Sequence, residues 1–180
     1  NNENTGVICE CDDDLNRVTA GLGTHVKDTA VALREISDNN WFLELKADCA
    51  KEMVIGFIRL NGAIVGAVAN RSEILGEDGK AAKKFDSVLT MAGAYKAAHF
   101  VEFCDSFSIP VLTLTSVTGF ASSVGEERSI ARALSQLTAA FANATVPKVN
   151  LIVGKAYGSA YITMNSKHIG ADLVFAYSDA

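Results

Sequence analysis

Two short stretches hold the residue types from which an anion-stabilising site can be built. Ser116-Val117-Thr118-Gly119-Phe120 and Lys155-Ala156-Tyr157-Gly158-Ser159-Ala160-Tyr161 each follow an apolar, β-branched run, and each places small residues where the chain must turn. After the second, helical signals resume, and the first N–H groups of a helix have no acceptor within it. Those groups face outward at the positive end of the helix dipole, and small side chains let a ligand oxygen come close. Two such donors make an oxyanion hole, worth roughly 3 kcal/mol per donor to a developing negative charge. Small residues at a strand–helix turn also serve plain close packing, and spacing alone does not separate the two uses.

Other chemistries are poorly supported. Ser159, His168 and Asp172 assemble a nucleophile–base–acid triad only on paper, because nothing in their spacing dictates geometry. Gly158-Ser159 does not sit in G-x-S-x-G, and neither a Walker A loop nor G-x-G-x-x-G occurs. The cysteines are Cys9, Cys11, Cys49 and Cys104, with no C-x-x-C pair, and His25, His99 and His168 are scattered, so no metal site is expected. Free thiols in a reducing compartment are the simpler reading. Lys plus Arg is 16 against 21 Asp plus Glu, a net charge of −5, which argues against a nucleic-acid partner. With 180 residues, 49% hydrophobic and 21% charged, the chain suits one packed domain rather than a disordered segment.

The elements that must position these stretches can be read in order. Residues 1–24 are polar and acidic and read as a lead-in or linker; residues 25–180 read as the folded domain. Asp28 is placed to cap a helix over 29–36, and alternation over 41–46 predicts a strand. The apolar runs 54–60 and 63–69 are joined by Asn61-Gly62, which supplies the positive φ angles of a two-residue hairpin. A charged loop is expected over 71–86, with Lys80, Lys83 and Lys84. A long helix to about Phe107 follows, with Leu89, Ala92, Phe100, Phe103 and Phe107 on or near one stripe. Pro110 and Pro147 open strands over 111–115 and 149–153, whose near-continuous apolar character suits parallel strands covered on both faces. Between them a helix is expected over 126–143, with Ile130, Leu134, Leu137 and Phe141 on one side. A third helix runs to about Ser166, and a last strand spans 171–177. Helix–strand alternation predicts an α/β fold with right-handed crossovers. The chain ends three residues past that strand, which suggests truncation of a longer protein. No apolar stretch is long enough for a membrane span.

Several ordered motifs resemble one family. Phe57-Ile58-Arg59-Leu60-Asn61-Gly62 through Ala69-Asn70 is similar to the G-F-x-R-hairpin-G-x-x-A-N segment of biotin-dependent carboxyltransferases. Those comprise acyl-CoA carboxylase beta subunits and the alpha subunits of methylmalonyl- and glutaconyl-CoA decarboxylases. Lys96-Ala97-Ala98-His99-Phe100 through Cys104-Asp105-Ser106-Phe107, Ala144-Thr145-Val146-Pro147-Lys148-Val149, and Lys155–Tyr161 with Ser166-Lys167-His168 and Gly170-Ala171-Asp172-Leu173 match further family motifs.

The resemblance implies a crotonase-like (Clp protease/crotonase) fold of strand–strand–helix units in a superhelix, here truncated. It identifies the chain as the carboxyl-terminal half of a carboxyltransferase that moves a carboxyl group between carboxybiotin and an acyl-CoA, with the propionyl/methylmalonyl class favoured. The backbone amides of Gly119, Phe120, Ser159 and Ala160 would hold the ureido oxygen of biotin. Gly158, Tyr161 and Ile162 would line the pocket. Biotin would arrive on a biotin carboxyl carrier protein, a homologous amino-terminal half on another subunit would hold the acyl-CoA, and the whole would be a homo-oligomer. The isolated fragment would be inactive. A cytoplasmic location is implied, at the membrane face if the parent is a sodium-pumping decarboxylase.

The chain departs from the family pattern. Thr118 replaces a proline, Ser159 replaces a glycine, Arg128-Ser129-Ile130-Ala131-Arg132-Ala133 replaces a glycine-containing segment, and the 71–86 loop is roughly ten residues longer than the resemblance suggests. Two alternatives stay open. A crotonase-like acyl-CoA hydratase or isomerase would need a carboxylate such as Glu126 or Glu127 at the hole, and a non-catalytic assembly domain would need neither.

Overall fold

The computed structural model describes residues 25–76, 78–122, 129–178 and 180; the 1–24 lead-in therefore lies outside them. In chain order the elements are α1 (Thr29–Ile36), β1 (Phe42–Leu45), β2 (Met53–Leu60), β3 (Ala63–Asn70), β4 (Glu73–Leu75), β5 (Ala81–Lys84), β6 (Val88–Leu89), α2 (Met91–Ser106), β7 (Val111–Val117), β8 (Gly119–Phe120), α3 (Ile130–Asn143), β9 (Lys148–Ala156), α4 (Gly158–Thr163) and β10 (Leu173–Ala176).

Local chemistry accounts for the boundaries. The Asp28 carboxylate caps α1 by accepting from the Ala30 N–H at 3.3 Å. Thr90 does the same for α2, its hydroxyl accepting from the Gly93 N–H at 2.9 Å. Pro110 and Pro147 stand immediately before β7 and β9. At the hairpin tip, Asn61 and Gly62 hold φ of 52° and 77°, the double positive φ of the turn that matches strand twist. Asp38 then clamps that tip, accepting from the N–H groups of Asn61 at 3.1 Å and Gly62 at 2.6 Å.

Six strands form one sheet in the order β1-β2-β3-β7-β9-β10. The first three are antiparallel, and β3, β7, β9 and β10 run parallel. One face carries α2 and α3, with Met53, Ile55, Val68, Val111, Leu137 and Phe141 in its core. The other face carries α1, with Leu33 against Val54, Ile58, Ala67 and Leu114. Each of these fully buried large side chains contributes about 1.5–3 kcal/mol by leaving water.

Three sequence expectations are corrected. The stripe on α2 is not the one expected: Phe103 and Phe107 are 45% and 64% exposed, and Leu89 belongs to β6. The buried face is instead made of Gly93, Ala94, Ala97, Ala98, Phe100, Val101 and Cys104. Small residues let α2 sit low on the sheet; a Cβ added at Gly66 would lie 2.5 Å from the Cys104 sulfur. Of the expected aromatics only Phe100 is buried, because the helix packs mainly through its small residues.

Secondly, the 71–86 segment is not a plain loop. β4 and β5 pair as an antiparallel hairpin. It is fastened along its first strand, where the Leu75 N–H donates to Asp28 at 2.9 Å and the Ser72 and Glu73 N–H groups donate to the Lys27 carbonyl. Buried Arg71 lies 3.7 Å from Asp28 and 3.3 Å from Glu44. Thirdly, the last helix ends at Thr163 rather than near Ser166, and a single 3-10 turn, Lys167–Ile169, follows. In α3, Ile130, Leu137 and Phe141 are buried and Leu134 packs against them, as the spacing predicts.

Candidate functional site

The carboxyl ends of the parallel strands bring both stretches together. β9 ends at Ala156, and the Tyr157 N–H donates to the Val117 carbonyl at 3.1 Å, tying the end of β9 to the end of β7. Gly158 then turns the chain with φ of 57°, a left-handed conformation that a residue with Cβ adopts only at cost, and α4 begins. Tyr157 provides no side-chain cap. The first bond of α4 runs from the Tyr161 N–H to the Tyr157 carbonyl at 3.3 Å. Among the described residues no protein acceptor meets the N–H groups of Gly158, Ser159 or Ala160. Ser159 and Gly158 are exposed, Ala160 is buried, and Tyr161 packs against the core while Ile162 and Tyr157 stand out from it.

A buried polar network sets the position of α4. The Thr163 hydroxyl donates to the Ser159 carbonyl at 3.0 Å. Asn150 on β9 donates to the Met164 carbonyl at 3.1 Å and accepts from the Thr115 hydroxyl on β7 at 2.7 Å. Asn165 donates to the Thr113 hydroxyl at 3.0 Å, and Asn70 on β3 accepts from the Ser116 N–H at 3.2 Å. Sequence reasoning passed over these residues. Their signal was the presence of Asn70, Thr113, Thr115 and Asn150 in otherwise apolar strands, since a buried polar group must find a partner.

The first stretch behaves differently. Gly119 and Phe120 form β8 and pair in parallel with β6. The amides on either side are committed: Thr118 donates to the Ser87 carbonyl at 2.7 Å and Ala121 to the Leu89 carbonyl at 2.9 Å. α4 rests on β8, so the two stretches adjoin. A Cβ added at either Gly119 or Gly158 would meet nothing within 4 Å, so both positions front open space.

Two cavities flank them and share Ser87. The smaller, about 600 Å³, is lined by Asp86, Val88, Thr118, Phe120 and Ala121. The larger, about 730 Å³, is bordered by Lys27, Ser72, Ser116, Lys155 and Tyr157, with no carboxylate side chain among its described lining residues.

The rival constellations do not assemble. No hydrogen bond joins Ser159, His168 and Asp172; the Asp172 carboxylate is taken by the Lys148 N–H at 2.7 Å. Cys104 is buried, and desolvation pushes its thiol up to about 12, so it is no nucleophile at neutral pH. Among the described residues no cluster of His, Cys, Asp and Glu could hold a metal ion, and no helix is long and apolar enough to cross a membrane. Glu126 and Glu127 lie outside the described residues.

The parallel strands of this mixed α/β sheet thus end beside backbone donors that front open space, and among the described residues no nucleophile and base are assembled there. The carboxyl transferase domain matches residues 23–180, and the chain belongs to that family. It is 44% identical over 167 residues to a putative propionyl-CoA carboxylase beta chain of Bacillus subtilis (strain 168), covering 92% of this chain and 31% of that one. Among solved structures it is similar to transcarboxylase 12S, described as a hexamer with methylmalonyl-coenzyme A and methylmalonic acid bound. The TM-score there is 0.72 at 38% identity, over 84% of this chain and 27% of that one. It is also similar to the beta subunit of Pseudomonas aeruginosa geranyl-CoA carboxylase, with a TM-score of 0.71 at 29% identity over 82% of this chain and 27% of that one. The fold is thus the crotonase-like one that the motifs implied. The chain spans about a third of the length of the curated relatives it matches.

Proposed function

We propose that the chain is the carboxyl-terminal half of a biotin-dependent acyl-CoA carboxyltransferase of the propionyl/methylmalonyl class. The observation that carries this, beside family membership, is the set of acceptor-free amides at the start of α4 next to the open Gly158. Biotin, delivered on a carrier protein, would supply a ureido group able to carry the carboxyl group and to take up negative charge on its oxygen. The Ser159 and Ala160 amides are held rigidly by the Asn150 and Thr163 bonds, so they meet that charge without reorganising. Gly119 and Phe120 form the facing wall and add a donor where the β8 ladder leaves one. Gly158, with no side chain, admits the ring. Tyr161 and Ile162 border the pocket toward the acyl group.

No side-chain nucleophile is needed. The chain's part is to hold one reactant and exclude water while a homologous half on another subunit of a homo-oligomer holds the acyl-CoA thioester. Proximity then supplies much of the rate. The cation-lined cavity beside Lys155 suits substrates that carry negative charge.

The test uses the full-length protein with its partner half. It should exchange labelled carboxyl groups between methylmalonyl-CoA or malonyl-CoA and free biotin, and Ala160→Val, which crowds the hole, should remove most of that exchange. Absence of exchange with any such ester would overturn the proposal.

A further inference from the structure

Lys96 is a charged side chain that carboxyl transfer leaves without a task. It lies on α2, only 4% exposed. Its Nζ reaches four main-chain carbonyls, those of Cys49 and Met53 at 2.7 Å, Lys46 at 3.0 Å and Ala50 at 3.3 Å. All four belong to residues 46–53, the connection from β1 and the first residue of β2. An ammonium carries three N–H donors, so four acceptors saturate it and the longest contact shares a hydrogen. Convergent carbonyl oxygens are how proteins replace the hydration shell of a monovalent cation.

The backbone is shaped for this. Lys46 and Ala50 hold φ of 50° and 42°, left-handed conformations that residues with Cβ adopt only at a cost. Two turn bonds close on the same carbonyls, Cys49 N–H to Lys46 and Met53 N–H to Ala50, both at 3.0 Å. Burial pulls the ammonium below the ordinary lysine range; Glu44 on β1 and Cys49 in the connection oppose that, Arg71 beyond β3 adds to it, and Glu52 opposes it. Lys46, Lys96 and His99 are among the lining of the adjoining apolar cavity. Without a cation at this point, the Cys49 and Met53 carbonyls would lose the ammonium donor, and those of Lys46 and Ala50 would keep only their turn N–H bonds, a penalised arrangement.

We infer that residues 46–53 form a monovalent-cation site whose occupant is the tethered ammonium of Lys96, and that this occupant holds the β1–β2 connection in its turn geometry. The inference is independent of the carboxyltransferase reading.

Two measurements test it. Reductive methylation of the native protein at neutral pH, read by mass spectrometry, should modify Lys46, Lys51 and Lys80 while Lys96 reacts at least about tenfold more slowly, as protected groups do. Equal rates would overturn the cage. In Lys96→Ala, the Cys49 and Met53 amides should exchange with solvent about tenfold faster while those of β7 and β9 keep their protection. Ammonium or potassium chloride, set against choline chloride at equal ionic strength, should restore at least half of the lost protection. Unchanged exchange would remove Lys96 as the organiser, and faster exchange that neither cation reverses would overturn the cation site. If the variant does not fold, the methylation result on the native protein decides.

Discussion

The stretches at 116–120 and 155–161 look alike as sequence, yet they differ in what their amides are doing. After β7 the chain stays extended, and β8 finds a partner in β6; the flanking Thr118 and Ala121 amides are spent on Ser87 and Leu89. After β9 the chain turns at Gly158 and coils, and among the described residues the first three amides of α4 meet no protein acceptor. A strand end can satisfy its donors by acquiring a neighbour, whereas the first turn of a helix cannot do so from within. Small residues therefore mark both places, but only the helix start keeps a run of open amides, and the proposed function places the anion there.

The strongest challenge to that contrast is Ser159→Pro. Proline is tolerated in a first helical turn but carries no N–H, so the fold should persist by circular dichroism while carboxyl transfer falls about 100- to 1,000-fold. Gly119→Ala adds a methyl where nothing lies within 4 Å, and transfer should fall about tenfold or less. An equal loss at both positions would erase the distinction.

Asn150→Ala probes the support beneath α4. It leaves the Met164 carbonyl and the Thr115 hydroxyl without this partner, and should cost about 1–3 kcal/mol in chemical denaturation, with a smaller fall in transfer as α4 loosens.

A site away from both junctions sharpens the contrast as a control. Asp105 accepts from the Thr145 N–H at 2.6 Å, the Thr145 hydroxyl at 3.0 Å and the Val146 N–H at 3.2 Å. The Thr145 backbone bond leads in holding its carboxyl below the ordinary aspartate value, with the other Thr145 and Val146 bonds and Lys148 contributing. Because the folded value is the lower one, its contribution is complete above about pH 4 and fades as pH falls through the depressed folded value. Asp105→Asn should flatten that part of the stability–pH profile and leave transfer at neutral pH unchanged. The smallest effect is expected from Asp86→Asn in the lesser cavity: transfer should stay within about threefold, since the proposed chemistry uses no carboxylate there, whereas general acid–base catalysis would cost about 100-fold or more.

Much of the fold was legible because its signals are local. Asp28, Asn61-Gly62, Pro110 and Pro147 act on their own neighbours, and the structure places a cap, a turn and two strand starts at them. The β4–β5 hairpin was not legible, because its charged residues carry no alternation and its first strand is fastened by Asp28 and Lys27, far away in sequence. The α2 face was misjudged for a similar reason: close packing of alanines against β3 and α3 leaves Phe103 and Phe107 outside.

Residue order alone was enough to indicate the family, most of the strand and helix pattern and the two small-residue junctions after β7 and β9, since these rest on propensity, turn chemistry and motif spacing. Tertiary structure decided which amides are spent and which stay open, and brought four carbonyls around Lys96. Those outcomes depend on which distant segment comes alongside, and a hydrogen bond exists only once its partner has been placed within about 3 Å.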